Sequence, residues 1–139
     1  YPEVGGVTLG EELLKPTRIY AKQLKQILSV YRIKKAIKGI AHITGGGMPE
    51  NIPRVLPAGV SIEIDASAWQ PHPIFNFIRK HGNIASHEMY RVFNMGIGLV
   101  LIADSYYTGA IMRRLKECGE TPYLIGRVKR GGNREIAIN

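Results

Sequence analysis

Three consecutive glycines, Gly45-Gly46-Gly47, stand between an apolar run, Ile37 to Ile43, and the doublet Met48-Pro49. Glycine loses more backbone freedom on folding than any other residue, so a run of three is costly in an ordered chain. It is useful where backbone must pass close to a ligand or adopt positive φ. A strand, a glycine loop and a proline-started turn of helix together aim backbone N–H groups at an anion. The loop is not a P-loop, because Met48 and Pro49 stand where that motif needs a lysine and a hydroxyl. It is not a dinucleotide fingerprint either, since those glycines are spaced as G-x-G-x-x-G. On the glycines alone, a plain strand-to-helix turn is an equal alternative to an anion site. Glu50 suits the start of a helix dipole but repels a phosphate beside it, and Asn51 and Arg54 can offset that charge.

Periodicity supplies the frame around the loop. Tyr20, Leu24, Ile27, Leu28 and Tyr31 share one face of a helix predicted over 18–32, with Thr17 as its cap. Residues 36–43 read as a strand, and 49–56 as a short helical turn limited by Pro53 and Pro57. Val60, Ile62 and Ile64 alternate with polar residues, the mark of a half-buried strand. Pro73 opens a helix to about 81, and Ser86 caps one over 87–94. Ile97 to Ala103 is nearly continuous apolar chain, as in a central strand covered on both faces. A helix follows over 105–118, with Cys118 on its apolar stripe and Gly119 as its stop. Strands over 122–130 and 134–138 are joined through Arg130-Gly131-Gly132-Asn133, a hairpin sequence. Residues 1–12 read as irregular. This order predicts an α/β (α+β) sandwich, a mixed β-sheet with helices packed on it.

The chain has 139 residues, 45% of them hydrophobic, enough for one core. No run approaches the roughly 20 apolar residues of a membrane span. The single cysteine excludes an internal disulfide and suits a reducing, cytoplasmic setting. His72, His81 and His87 form no ligand pattern with one another or with Cys118, so no metal site is expected. The net charge is +8, and no acid lies between Glu12 and Glu50 while eight lysines and arginines do. Such a face attracts polyanions. It lacks the interleaved aromatics of an RNA-binding sheet and any zinc-finger pattern, which disfavours nucleic acid and favours a solvated face near a small phosphorylated ligand.

A longer pattern is more specific. Leu13-Leu14-Lys15-Pro16-Thr17-Arg18-Ile19-Tyr20, then Ala41-His42-Ile43-Thr44-Gly45-Gly46-Gly47-Met48-Pro49-Glu50-Asn51-Ile52-Pro53-Arg54-Val55-Leu56-Pro57, then Glu88 to Gly98 with Asn94-Met95-Gly96-Ile97-Gly98, stand in order and with compatible spacing. Together they resemble the carboxy-terminal domain of the aminoimidazole ribonucleotide (AIR) synthetases, the phosphoribosylformylglycinamidine cyclo-ligases of purine biosynthesis. The resemblance covers about Thr8 to Gly126. It implies an α/β layered domain over 13–139, with 1–12 as the linker from an amino-terminal domain absent from this sequence.

The resemblance also implies a chemistry. In that family ATP phosphorylates the formyl oxygen of formylglycinamidine ribonucleotide, the substrate's amine attacks, phosphate leaves and the imidazole ring closes. ATP and Mg2+ are held mainly by the amino-terminal domain, so this chain is expected to be half of an active site and inactive alone. Its eleven carboxylates are scattered, with Glu11-Glu12 the one adjacent pair. Thr44, Gly45, Gly46 and Gly47 are the candidates for phosphate contact through backbone N–H, followed by Asn51 and Arg54. Thr17 and Arg18 match the family motif, and Arg18 could clamp a phosphate bidentately; a helix cap and a surface arginine explain them equally well. His42 could orient substrate or move a proton, given an ordinary pKa of about 6.5. Asn94 is expected near the cleft, or as a helix C-cap. The implied partners are the ribonucleotide substrate, the amino-terminal domain and a second copy, since members of the family dimerise. Two other readings stand beside this one. The first is a related ATP-dependent enzyme that shares the domain: formylglycinamidine ribonucleotide synthetase, selenophosphate synthetase, thiamine-phosphate kinase or a hydrogenase maturation protein. The second is a non-catalytic basic module for nucleic acid or a protein partner.

Overall fold

In the computed structural model, which describes residues 4–139, these segments form five strands in two sheets. β1 (Ile37–His42) pairs antiparallel with β3 (Leu99–Ala103), with Ala41 opposite Val100 and His42 opposite Leu99. β2 (Val60–Ile64) lies between β4 (Gly126–Arg130), antiparallel to it, and β5 (Ile136–Ile138), parallel to it. Six α-helices surround them: α1 (Leu9–Leu13), α2 (Ala21–Tyr31), α3 (Gly47–Asn51), α4 (Pro73–Gly82), α5 (Ser86–Val92) and α6 (Thr108–Glu117). The architecture is α+β, with helices packed on antiparallel and mixed sheets.

Two apolar layers hold it together. Ala41, Ile43 and Val100 of the first sheet and Ile62 and Ile64 of the second bury against Met48, Ile52, Leu56 and Trp69. On the other side of the first sheet, Leu101 and Ala103 pack against Ile27, Tyr31 and Ile111 of α2 and α6. Ile27, Met48, Ile52, Ile64 and Met89 are fully buried. Each such side chain contributes about 1.5–3 kcal/mol by leaving water.

Several local expectations are revised. The stretch read as irregular contains α1, because Thr8 and Glu11 form a reciprocal capping box; residues 1–3 of the linker assigned to 1–12 lie outside the described residues. Thr17 is not a helix cap: α2 begins at Ala21 with Tyr20 as a cap that makes no side-chain bond. Ser86 is the first residue of α5 rather than its cap, and the helix stops at Val92. The loop enters α3 at Gly47, two residues before Pro49, and Pro53 restarts the chain as a 3-10 turn, Pro53–Val55. Another such turn, Ser105–Tyr107, precedes α6, and Cys118 caps the far end of that helix, half-buried. β3 is not a central strand, since it pairs on one edge alone. The hairpin read at Gly131-Gly132 does not form. The glycines carry the turn, at φ 94 and 81, but it steps across β2 instead of joining neighbours. Gly131 N donates to Gly59 O at 2.9 Å and Arg134 N to Val60 O at 2.8 Å, so the turn straps the start of β2.

On the polar face of the second sheet, Glu63 accepts from Lys129 and lies 3.6 Å from Arg127, tying β2 to β4. The Lys129 hydrogen bond holds its carboxyl below the usual carboxylate range. A depressed carboxylate stabilises the fold at neutral pH and loses that contribution as pH falls through its lowered value. Glu63→Gln should therefore melt slightly below the parent at pH 7, and the gap should close below about pH 4. A gap that persists unchanged in acid would show that charge is not its source.

Candidate functional site

The glycine loop leaves β1 at His42 and turns into α3 with Gly46 at φ 91 and Gly47 at φ 58. Its organiser is Asn51, only 5% exposed on α3. The Asn51 Nδ2 donates to the carbonyls of Gly47 at 2.8 Å, Gly45 at 3.2 Å and Thr44 at 3.3 Å. Its Oδ1 accepts from the Thr44 hydroxyl and from Arg54 Nη1, each at 3.3 Å. The loop's carbonyls are thereby gathered inward on one side chain. Asn51 and Arg54 are thus loop supports in this geometry, and Arg54 stands on the 3-10 turn rather than on the helix of Asn51.

The middle of the loop is tightly enclosed. A Cβ at Gly47 would stand 1.9 Å from Tyr90 O and 3.0 Å from Phe93 O, so the loop abuts the end of α5 backbone to backbone. A Cβ at Gly46 would stand 2.5 Å from Glu50 Oε2, so that carboxylate lies over the loop. Gly45 meets nothing within 4 Å. The open end of the loop is therefore at Thr44 and Gly45, both exposed. There Thr44 shares a cavity of about 250 Å³ with Asn94, Ile43 and Phe75. Asn94 is not a helix C-cap: its Oδ1 accepts from Gly96 N at 2.9 Å, in the turn that carries Met95 and Gly96 at positive φ. Trp69 Nε1 donates to Met95 O at 2.9 Å and fixes that turn to the core.

A second convergence joins segments far apart in sequence. Tyr20 rests on Gly98, where a Cβ would stand 2.2 Å from its Oη, and its ring meets the exposed His42 edge-on, with centroids 6.2 Å apart. Burial pushes the Tyr20 hydroxyl pKa upward, so the group is neutral through the physiological range. Arg18 does not reach the glycine loop's partners. It pairs with Glu120 at 3.1 Å, and both line a larger cavity of about 780 Å³ together with Tyr20 and Gly98. Thr17 is exposed and makes no part of either cluster.

Tyr20, Glu120 and the clamping role of Asn51 were missed as site residues. The periodicity assigned Tyr20 to the apolar face of α2, and nothing local to Glu120 marks it as the partner of Arg18. The signal for Tyr20 and Gly98 was their place inside the two matched segments. Among the described residues, no group of three His, Cys, Asp or Glu stands together, and no helix is long and apolar enough to cross a membrane.

Comparison with known proteins places these segments in context. The family described as AIR synthase related protein, C-terminal domain, matches residues 2–139. A phosphoribosylformylglycinamidine cyclo-ligase of Geobacillus sp. (strain WCH70) is 53% identical over 125 residues, 90% of this chain and 35% of the relative. The enzyme of the same name from Brevibacillus brevis is 44% identical over 137 residues, 99% of the chain and 38% of the relative. The chain thus spans little more than a third of the relatives it matches. Among solved structures, E. coli HypE, a hydrogenase maturation protein, superposes with a TM-score of 0.60 over 83% of this chain and 35% of its own, at 21% identity, a likeness of fold.

Proposed function

We infer the function from a premise that the matches establish: the chain belongs to the AIR synthase related protein, C-terminal domain family. Its relatives at about half identity are cyclo-ligases of purine biosynthesis. Our reading is that this chain forms the carboxy-terminal half of such a cyclo-ligase, which uses ATP to close formylglycinamidine ribonucleotide into aminoimidazole ribonucleotide in the cytoplasm. The observation that carries it is the assembly of the separate matched segments: Tyr20, His42 and Gly98 in one cluster, Thr44 and Asn94 in another.

The described residues do not by themselves fit a magnesium site, since their acids are dispersed. ATP and magnesium are accordingly assigned to an amino-terminal domain, and ATP supplies the phosphoryl group that turns the formyl oxygen into a leaving group. This chain's part is to bind and orient. The substrate phosphate is placed at the open Thr44-Gly45 end of the loop, because the Glu50 carboxylate over Gly46 repels an anion there. The Thr44 hydroxyl and loop amides hold it, and Asn94 stands beside it with a side-chain NH2 that its own turn does not use. His42, exposed at the end of β1, is placed to orient the reacting end or take up a proton. Arg18 reaches a phosphate only by exchanging its Glu120 partner. Dimerisation is part of the same proposal.

A chimera tests this. The chain replaces its counterpart in the Geobacillus enzyme, and AIR formation is followed. The chimera should turn over, and the isolated chain should not. A chimera that folds, binds ATP and makes no product would sink the reading. In the active chimera, His42→Ala should lower kcat by about 100-fold with the melting temperature unchanged, the range of a positioned acid–base group. Unchanged kcat would remove His42 from the chemistry.

A further inference from the structure

Four strands of this fold, β1, β3, β4 and β5, pair on one edge alone, and the unused edges of β3 and β4 open onto one cavity. β3 pairs only with β1, and β4 only with β2. Ile43 N donates to Gly98 O at 2.9 Å, which sets the phase of the β1–β3 ladder. Antiparallel pairing alternates, so the N–H and C=O of Leu99 and Leu101 point away from β1. Asp65 N donates to Ile125 O at 2.8 Å, and the same alternation turns those of Gly126 and Val128 away from β2. All four residues line the cavity of about 780 Å³.

The lining of the cavity draws on both apolar clusters of the fold. Ile62 and Trp69 wall one side of it and Ile111 and Met112 the other. Met48 and Ile52 belong to one buried cluster with residues of both sheets, so a single core serves the two. An unpaired strand edge is a template for a further strand, and β4 leaves its own edge exposed along its length. Two side-chain oxygens in the lining, Gln23 Oε1 and Glu120 Oε1, are also buried without a hydrogen-bond partner. Leu124 is 64% exposed and Val128 44%, although both line an apolar cavity.

We propose that an extended segment, apolar on both faces, inserts between β3 and β4 and joins the two sheets into one of six strands. It bonds Leu99 and Leu101 with alternate residues and Gly126 and Val128 with the residues between them. Both of its faces must be apolar because both walls are. The segment is assigned to the longer polypeptide of which relatives such as the Geobacillus enzyme are examples, since the aligned region is only 35% of that enzyme. The added strand rests on the reading that the chain is part of such a longer polypeptide, but not on the phosphate site proposed at Thr44 and Gly45.

The test titrates the chain with overlapping peptides of roughly 15 residues, long enough for a strand of ordinary length, tiling the unmatched part of the Geobacillus enzyme. One apolar peptide should bind saturably and slow hydrogen exchange at the amides of Leu99, Leu101, Gly126 and Val128. Val128→Pro removes only an outward N–H, which an edge strand tolerates, and should weaken that peptide by about tenfold or more with the circular dichroism unchanged. Binding that leaves the four amides unprotected overturns the proposal, as does the absence of any binding peptide. Edge protection that rises with chain concentration alone would assign the gap to a second copy and also overturn it. The exchange map on the unaltered chain decides the matter even if the proline variant does not fold.

Discussion

Alanine at position 47 is expected to lower the stability of the fold by about 3–5 kcal/mol, joining the cost of overpacking to that of a left-handed backbone. The added methyl would stand 1.9 Å from the Tyr90 carbonyl, and the atom it meets is backbone, which no rotamer change can move. Relief requires α3 and α5 to separate, which exposes the fully buried Met48 and Met89 between them. A loss of this size is a large part of the 5–15 kcal/mol that holds a domain together. The check is urea unfolding beside Gly45→Ala, a neighbour with open space around it and no positive φ. Gly47→Ala should unfold at a much lower midpoint, with Gly45→Ala close to the parent. Equal midpoints would remove the backbone contact as the reason for a glycine at 47.

The second large effect is expected at Asn51→Asp. The change is isosteric and opens no cavity, but it sets an anion where an NH2 group now donates to three carbonyls at 2.8–3.3 Å. A buried polar group that loses its partners costs about 1–3 kcal/mol, and more when charged. The total should be about 3 kcal/mol or more, with the loop set free at Thr44 and Gly45. The introduced carboxyl faces acceptors, so its folded pKa is raised. A raised acid stabilises below its unfolded value and loses that as pH rises, so the deficit should shrink in mild acid and be complete at neutral pH. Melting curves between about pH 4 and 8 decide it. A pH-independent deficit would mean that the lost donors do not act through charge. In the chimeric enzyme the same variant should raise the KM for the ribonucleotide, if the glycine loop holds the phosphate as proposed and Asn51 positions that loop without touching the substrate.

Much of the fold was legible because its periods were clean. Ile37 to Ile43, the alternation Val60-Ile62-Ile64 and the run to Ala103 each named a strand, and Pro73 named the first turn of α4. The misreadings share one cause: local chemistry was taken to fix a pairing that tertiary contacts decide. Gly131-Gly132 make a good turn, but Ile136 and Ile138 gain more by completing the buried face beside Ile62 and Ile64 than by pairing back on the exposed β4. The capping strength of Thr17 yields to the packing of Tyr20 on Gly98, which starts α2 later. For the site, the glycine loop was visible as a cost in backbone freedom, whereas the inward aim of Asn51 was not. A short polar residue on a short helix looks the same from sequence whether it faces a ligand or the loop that carries it. The Arg18–Glu120 pair spans the length of the chain and has no local trace.

The strap around β2 also bears on how the chain is made. β2 is gripped on one edge by β4 and on the other by β5, and Asn139 closes the clasp by donating to Ile64 O at 3.0 Å and accepting from Ala66 N at 2.8 Å. Residues 60–64 therefore have no sheet partner until 126–139 exist. During vectorial synthesis the first sheet can pair once β3 emerges, while β2 waits as an unpaired apolar strand for the last stretch of the domain. Such distant pairing is slow and leaves strand edges open to other chains. A ribosome stalled before β5 would thus display a nascent domain with β1 already paired to β3 and with β2 open on the edge that β5 covers, the state that a chaperone is suited to cover.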